Sequence, residues 1–127
     1  MTEEISKQFN NDRFPKMLGI EIKNISLGYA EVTITVTEQM LNFHGMVHGG
    51  VIFTLADTAF GLASNTRGPA VALQVSINYI RAAQAGTVLI ATAQEENITK
   101  RTGIYNITVK NDSGETVALF RGTAYRK

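Results

Sequence analysis

The chain has no cysteine among its 127 residues. This absence excludes a disulfide framework, a thiolate nucleophile and a cysteine-ligated metal centre. Net charge is almost absent too, because 12 lysines and arginines oppose 11 aspartates and glutamates to leave +1. So weak a field does not favour nucleic acid or an anionic membrane as a partner. Hydrophobic residues nevertheless make up 44% of the chain, which is typical of a globular protein.

Long apolar segments are also absent. The longest runs from Gly49 to Ser64, contains Asp57 and is shorter than the roughly 20 residues that span a bilayer. The N-terminal stretch MTEEISKQFNNDRFPK lacks the apolar core of a secretory signal. We therefore expect a cytoplasmic protein whose residues 1–127 form one domain. Residues 1–16 are expected to be a helical lead-in, with a short helix over 3–13 that Pro15 ends.

Alternation of apolar and polar residues predicts strands on both sides of one helical segment. Residues 29–38 alternate strictly, and residues 19–28 are expected to pair with them through a turn at Leu27-Gly28. Four further strands are predicted at 71–82, 87–99, 101–111 and 115–125. The Asn-Asp-Ser-Gly stretch at 111–114 predicts a hairpin turn between the last two.

The remaining regular segment, residues 47–65, predicts a helix that is apolar nearly all round. Asp57 is the one charged residue in it, and Arg67, Gly68 and Pro69 follow its end. A helix with so little polar surface is buried on most of its circumference. The order ββαββββ therefore predicts an α+β fold, in which an antiparallel sheet wraps around one long buried helix.

The stretch N-x-x-G-x-x-H-G-G-x-x-x-x-L-x-D, from Asn42 to Asp57, resembles the hotdog-fold acyl-CoA thioesterases. The resemblance is greatest to the phenylacetate-degradation (PaaI) type and extends from about Leu18 to Tyr125. It implies a hotdog fold that hydrolyses medium-sized or aryl acyl-CoA thioesters, such as phenylacetyl-CoA derivatives, without a cofactor. It also implies a homodimer, paired into a homotetramer, with active sites at the subunit boundary.

The resemblance implies a role for each motif residue in turn. The backbone N–H of Gly49 would point at the thioester carbonyl, with Gly50 beside it in substrate binding. Asp57 would align or deprotonate the attacking water, Asn42 would help to hold the water and acyl group, and His48 would lie near the departing sulfur. Some members carry a hydroxyl residue early in the strand after the helix. This chain has Ala72 there, so that supporting role is unassigned.

Thioester hydrolysis accounts for these residue types. Negative charge develops on the carbonyl oxygen as water adds, and an unpaired N–H at a helix start stabilises it. Glycine lets the carbonyl approach the backbone without meeting a Cβ. However, Gly49 and Asp57 are eight residues apart, which is about 12 Å along a helix. A general base must lie within about 3 Å of its proton. The motif therefore requires Asp57 of one subunit opposite Gly49 of another.

Each of these residues also has a purely structural alternative. Asp57 could bond to the backbone or to a threonine, and the two glycines could simply permit a tight turn into the helix. His48 could be a structural group beside a helix start, and Asn42 an ordinary loop residue. His44 has no comparable support and is left out of the predicted site.

Three basic residues near strand ends, Arg81, Lys100 and Arg101, are candidates to contact the phosphates of coenzyme A. Solvated surface charge is the alternative for each of them. Arg67 is better explained as a charge at the helix C-terminus. Two histidines and scattered carboxylates do not form metal-ligand spacing, so no metal is predicted.

Two other functions remain as alternatives. A hotdog dehydratase would carry a Pro-Gly before the helix, and this chain has none. A non-catalytic acyl-CoA-binding regulatory module is the second alternative, and it would have no need of Asp57 as a base.

Overall fold

The computed structural model describes residues 2–127, and its helices are α1 (Thr2–Phe9), α2 (Arg13–Met17) and α3 (Gly49–Asn65). The prediction of one helix over 3–13 ended by Pro15 is wrong. The first helix stops at Phe9, and Pro15 lies in the first turn of α2. A backbone N–H there has no partner within the helix, so proline removes no hydrogen bond.

Six strands of the described chain form one sheet, with every neighbouring pair antiparallel. They are β1 (Glu21–Ser26), β2 (Tyr29–Thr35), β3 (Ala70–Tyr79), β4 (Val88–Ile98), β5 (Thr102–Asn111) and β6 (Thr116–Arg126). Their order across the sheet is β1-β2-β4-β5-β6-β3. The second strand ends at Thr35 rather than at residue 38, because a one-turn 3₁₀ helix (Glu38–Met40) follows it.

Both predicted hairpin turns are present. Gly28 has a φ of +71°, a conformation that glycine adopts without a steric cost. At the second turn, the Asn111 side-chain oxygen accepts hydrogen bonds from the backbone N–H groups of Ser113 and Glu115. These turns set the register that places alternate strand residues against the helix.

The core lies between the concave face of the sheet and α3. Small residues on the helix, Ala56, Ala59 and Ala63, are fully buried and let the sheet approach closely. The facing strand residues are also fully or almost fully buried: Ala30, Val32, Ile34, Leu89, Ala91, Ala93, Tyr105, Ile107 and Val109. This packing confirms the predicted hotdog arrangement of one long helix wrapped by a curled antiparallel sheet.

One stripe of α3 is not covered by the sheet. Asp57 is exposed, and Thr54 and Thr58 on the same side are half-buried. The first helix rests against this region through the buried side chains of Ile5 and Phe9. The edge strand β3 is also uncovered, and it exposes apolar side chains such as Leu73. No helix within residues 2–127 is long and apolar enough to cross a membrane.

Candidate active site

The start of α3 leaves one backbone donor unused. His48 is the N-cap, with φ −66° and ψ 138°, and its Nδ1 accepts the Gly50 N–H at 2.9 Å. His48 therefore has the structural role that was its alternative to a catalytic one, since it caps the helix. Within residues 2–127, nothing accepts a hydrogen bond from the Gly49 N–H. Of the two glycine amides, only that of Gly49 is free to bind a ligand oxygen.

Asn42 organises the loop that leads into α3. Its side-chain oxygen accepts the backbone N–H groups of His44, at 2.9 Å, and Met46, at 3.2 Å. The backbone N–H of Asn42 donates to the Met46 carbonyl at 2.7 Å. The oxygen of Asn42 is therefore committed to the loop, which leaves the side-chain NH₂ as the group it can offer to a ligand.

A cavity of about 450 Å³ opens beside this helix start, and we call it the N-terminal cavity. Its wall includes Asn42 and Gly49 from the motif and Arg81, which lies two residues after the end of β3. His44, which the sequence did not place in the site, lies on the same wall.

Tyr79, at the end of β3, also lines the N-terminal cavity. Its hydroxyl donates to the Gly49 carbonyl oxygen at 3.2 Å. Sequence reasoning missed this residue because Tyr79 is 30 positions away from Gly49 and looks like any other strand aromatic. Only the packing of the end of β3 against the start of α3 reveals it.

Asp57 opens into a different space, a cavity of about 510 Å³ between α3 and the two N-terminal helices, which we call the carboxylate cavity. Phe9, Asp12 and Phe14 form part of its wall. Sequence reasoning also missed Asp12, since no spacing links a loop residue to a helix 45 positions later. The hydroxyl of Thr54 donates to the Gly50 carbonyl, at 2.8 Å, so it does not hold Asp57.

The Asp57 carboxylate accepts no hydrogen bond from any residue of the described chain. Partial desolvation by the surrounding protein raises its pKa above the ordinary value, and the negative charge of Asp12 raises it further. Asp57 nevertheless remains accessible to solvent. A reachable carboxylate with a raised pKa is a stronger base than an ordinary aspartate.

The N-terminal and carboxylate cavities share no lining residue. Gly49 and Asp57 therefore face separate spaces in a single chain, as the rise of about 12 Å over eight helical residues requires. Each chain presents one half of the predicted catalytic pair in each cavity.

The three candidate phosphate contacts do not lie together in one chain. Arg81 lies on the N-terminal cavity, with its Nε 3.6 Å from the Glu115 carboxylate. Lys100 and Arg101 lie in the β4–β5 turn, where the Arg101 carbonyl accepts the N–H of Arg126 at 2.6 Å. Arg126 pairs with Ala70 at the start of β3, whereas Arg81 follows the end of that strand. Lys100 and Arg101 are thus at the opposite end of β3 from Arg81.

Arg67 is accounted for by an ion pair. It binds the Glu95 carboxylate in a bidentate manner, with distances of 2.7 and 2.6 Å, just after the end of α3. Within residues 2–127, no group of three histidine, aspartate or glutamate side chains is arranged to hold a metal ion.

Comparison with known proteins gives a consistent result. The family model of the thioesterase superfamily matches residues 44–118. The acyl-coenzyme A thioesterase PaaI of Escherichia coli K12 is 49% identical over 119 residues, which cover 93% of this chain and 85% of that protein. The solved structure of E. coli PaaI superposes with a TM-score of 0.96 at 45% identity, covering 99% of this chain and 93% of that one.

A second similar protein was crystallised with a ligand. It is a hypothetical thioesterase of Streptococcus pneumoniae TIGR4 with coenzyme A, which is 31% identical with a TM-score of 0.80. The match covers 85% of this chain and 91% of that one.

Proposed function

Because the chain belongs to the thioesterase superfamily and is a thioester hydrolase, we propose that it cleaves medium-sized or aryl acyl-CoA thioesters, such as phenylacetyl-CoA derivatives. The products are the free acid and coenzyme A. Because the chain is a hydrolase, the alternative function of a non-catalytic acyl-CoA-binding regulatory module is set aside. Support for the substrate comes from the identity to an acyl-CoA thioesterase and from the coenzyme A bound to a relative of the same fold.

The observation that carries the proposed mechanism is the free Gly49 N–H at the start of α3. It adds a backbone donor to the positive end of the helix dipole, and the Gly50 N–H cannot compete because His48 binds it. A carbonyl oxygen seated there would gain charge stabilisation as water adds. One such donor typically contributes roughly 3–4 kcal/mol to the transition state.

Asp57 is the proposed base. Its carboxylate has no hydrogen-bond partner among residues 2–127, is open to solvent and has a raised pKa. All three properties suit a group that orients a water molecule and takes its proton. Thiolate is a good leaving group, so neither a serine nor a cysteine nucleophile is needed.

We propose that each active site is shared between two copies of the chain. A base must lie within about 3 Å of the proton that it takes, and Asp57 opens into a different cavity from its own Gly49. Two antiparallel α3 helices related by a two-fold axis would bring Asp57 of each copy opposite Gly49 of the other. The proposed assembly is a homodimer, with pairing of dimers into a tetramer as its extension.

The other residues of the N-terminal cavity have supporting roles in this proposal. The free NH₂ of Asn42 would hold the water or the acyl group, and His48 would lie near the departing sulfur. Arg81 is the candidate for a coenzyme A phosphate on this cavity, because Lys100 and Arg101 are at the far end of β3. These two would reach coenzyme A only if another subunit brought them near.

A thiol-release assay over a panel of CoA esters tests the proposal. The panel compares phenylacetyl, benzoyl and straight-chain esters, and we expect the highest kcat/KM among the aryl or medium-sized members. Preference for long straight chains would contradict the proposed substrate class. Binding of CoA esters without thiol release from any of them would contradict the proposed mechanism.

A further inference from the structure

The Gly49–Gly50 peptide is contacted by side chains at both of its polar ends. Its N–H, which belongs to Gly50, donates to His48 Nδ1 at 2.9 Å. Its carbonyl, which belongs to Gly49, accepts the Tyr79 hydroxyl at 3.2 Å. The two side chains come from different places, since His48 precedes the helix and Tyr79 ends β3. Together they hold one peptide plane between the loop and the edge strand.

This arrangement matters because two successive glycines are intrinsically mobile. Neither has a Cβ to restrict its backbone dihedrals, and the first turn of a helix lacks half of its internal hydrogen bonds. An oxyanion donor, by contrast, must be held within about 0.5 Å and 10–20° of the productive geometry. The His48–Gly49 peptide, which carries this N–H, is already held at its carbonyl, because the His48 oxygen accepts the Val51 N–H at 3.0 Å. What still needs a restraint is the pair of backbone dihedral angles of Gly49.

Tyr79 supplies this restraint in two ways. Its hydroxyl fixes the carbonyl of Gly49, and its ring lies 3.4 Å from the position that a Cβ on Gly49 would occupy. The ring therefore packs beside Gly49, the residue whose N–H is the proposed donor. The same ring is half exposed on the wall of the N-terminal cavity.

We propose that Tyr79 is a positioning residue: its bond to the Gly49 carbonyl restrains the dihedral angles of Gly49 and so keeps the Gly49 N–H directed toward the thioester oxygen. The inference rests on the proposed function of Gly49 as the oxyanion donor. Tyr79 acts through the backbone and transfers no proton. Its contribution is realised chiefly in the transition state, where the oxygen is charged, and little in the ground state.

Tyr79→Phe tests this role, because it removes the hydroxyl and keeps the ring packed on Gly49. We expect kcat to fall about three- to tenfold, in line with the net loss of one hydrogen bond, while KM changes by less than about twofold. Tyr29→Phe is the matched control, since Tyr29 lies on β2 at the β1–β2 turn, outside both cavities. Its kinetics should equal those of the wild type.

A second measurement does not depend on turnover. Amide hydrogen exchange of Gly50, followed by NMR, should accelerate severalfold in Tyr79→Phe and remain unchanged in Tyr29→Phe, because the shared peptide loses one of its two anchors. Unchanged kcat, or unchanged Gly50 exchange, would overturn the inference. A rise in KM that accounts for the whole loss would overturn it as well, since that indicates a substrate contact.

The outcomes separate this inference from the proposed function. If the wild type releases thiol and requires Asp57 but Tyr79→Phe is indistinguishable from it, only the role of Tyr79 fails. If the wild type hydrolyses no CoA ester of the panel, the proposed function fails, and unchanged Gly50 exchange in Tyr79→Phe would then disprove the restraint independently.

Discussion

At the scale of single residues, Asp57 is costly to the fold. Its pKa is raised above the ordinary value of 3.8, first by partial desolvation and then by Asp12, so the folded chain binds this proton more tightly than the unfolded chain. The stabilising effect of the raised pKa is complete when the pH is below the pKa of Asp57 in the unfolded chain. It is lost as the pH rises through the pKa of Asp57 in the folded chain. Ionised Asp57 therefore lowers the free energy of unfolding at neutral pH.

Asp57→Asn should separate activity from stability. We expect kcat to fall about 100-fold or more, because the base is lost, while substrate binding is retained. At pH 7 the variant should unfold at a higher denaturant concentration than the wild type, and the difference should vanish near pH 3. Asp112→Asn, in an exposed turn, serves as the control. Near-normal turnover in folded Asp57→Asn would remove Asp57 from the mechanism.

The pH dependence of kcat should report on Asp12. Its negative charge contributes to the raised pKa of Asp57, so Asp12→Asn should lower that pKa. More Asp57 is then ionised at a given acidic pH, and the acidic limb of the profile should move to lower pH. The measurement is kcat from about pH 4 to 8, with Asp112→Asn as the reference. A limb that stays in place would show that Asp12 does not influence the base.

The motif points to some residues of the candidate site and not to others, for a physical reason. Gly49 and Asp57 stand out because a glycine at a helix start and a charge in an apolar helix are locally unfavourable. Asn42 and His48 were ambiguous, since loops and helix caps use the same residue types as active sites, and both do bind backbone groups here. Tyr79 came from a distant segment and carried no local signal at all.

At the scale of elements, the start of α3 is unusually suited to one substitution. Gly49 is the first helical residue and has a negative φ, and its N–H bonds to no residue of the described chain. His48, with ψ 138°, already has the extended conformation that a residue before proline prefers. Proline at position 49 would therefore remove the donor and leave the helix intact.

Gly49→Pro should accordingly fold like the wild type but lose about 100-fold or more in kcat. Gly49→Ala is the matched control, since it keeps the N–H and its Cβ would meet the Tyr79 ring at an ordinary contact distance of 3.4 Å. Circular dichroism and thermal unfolding check the fold, and thiol release measures kcat. Wild-type activity in the folded proline variant would exclude the Gly49 N–H as the oxyanion donor, and the alanine variant isolates the effect of the added Cβ.

The elements themselves followed from the sequence where periodicity was strong. Strict alternation gave β2, and the nearly all-apolar segment gave α3, within a few residues of their observed ends. The error at Pro15 arose because proline breaks a helix at interior positions but is tolerated in the first turn. The local sequence pattern does not show where a short helix begins, so it could not tell these two positions apart. The order of strands in the sheet depends on long-range pairing, which periodicity does not encode.

At the scale of the whole molecule, the proposed shared site leaves two incomplete sites on each chain, which subunit exchange can test. Prepare Asp57→Ala and Gly49→Pro separately, then unfold and refold an equimolar mixture. Random pairing makes half of the dimers mixed. Each mixed dimer has one site with an intact Gly49 and an intact Asp57, so activity should return to roughly a quarter of the wild type.

Sites contained within one subunit would give no recovery on mixing. Each protein must be shown to be folded and to exchange, for example by tagging one of them and isolating mixed species. Sedimentation of the wild type supplies an independent check, because the shared site requires at least a dimer. A folded 13.9 kDa species at micromolar concentration would contradict the assembly.

The cap at the start of α3 also decides which ring nitrogen of His48 can donate a hydrogen bond. A backbone N–H can only donate, so the Nδ1 that receives it from Gly50 carries a lone pair. While it caps the helix, the imidazole therefore carries its N–H on Nε2. Such a ring presents only a donor to the outside, which makes it unable to deprotonate water and suited to donating a hydrogen bond to a departing thiolate.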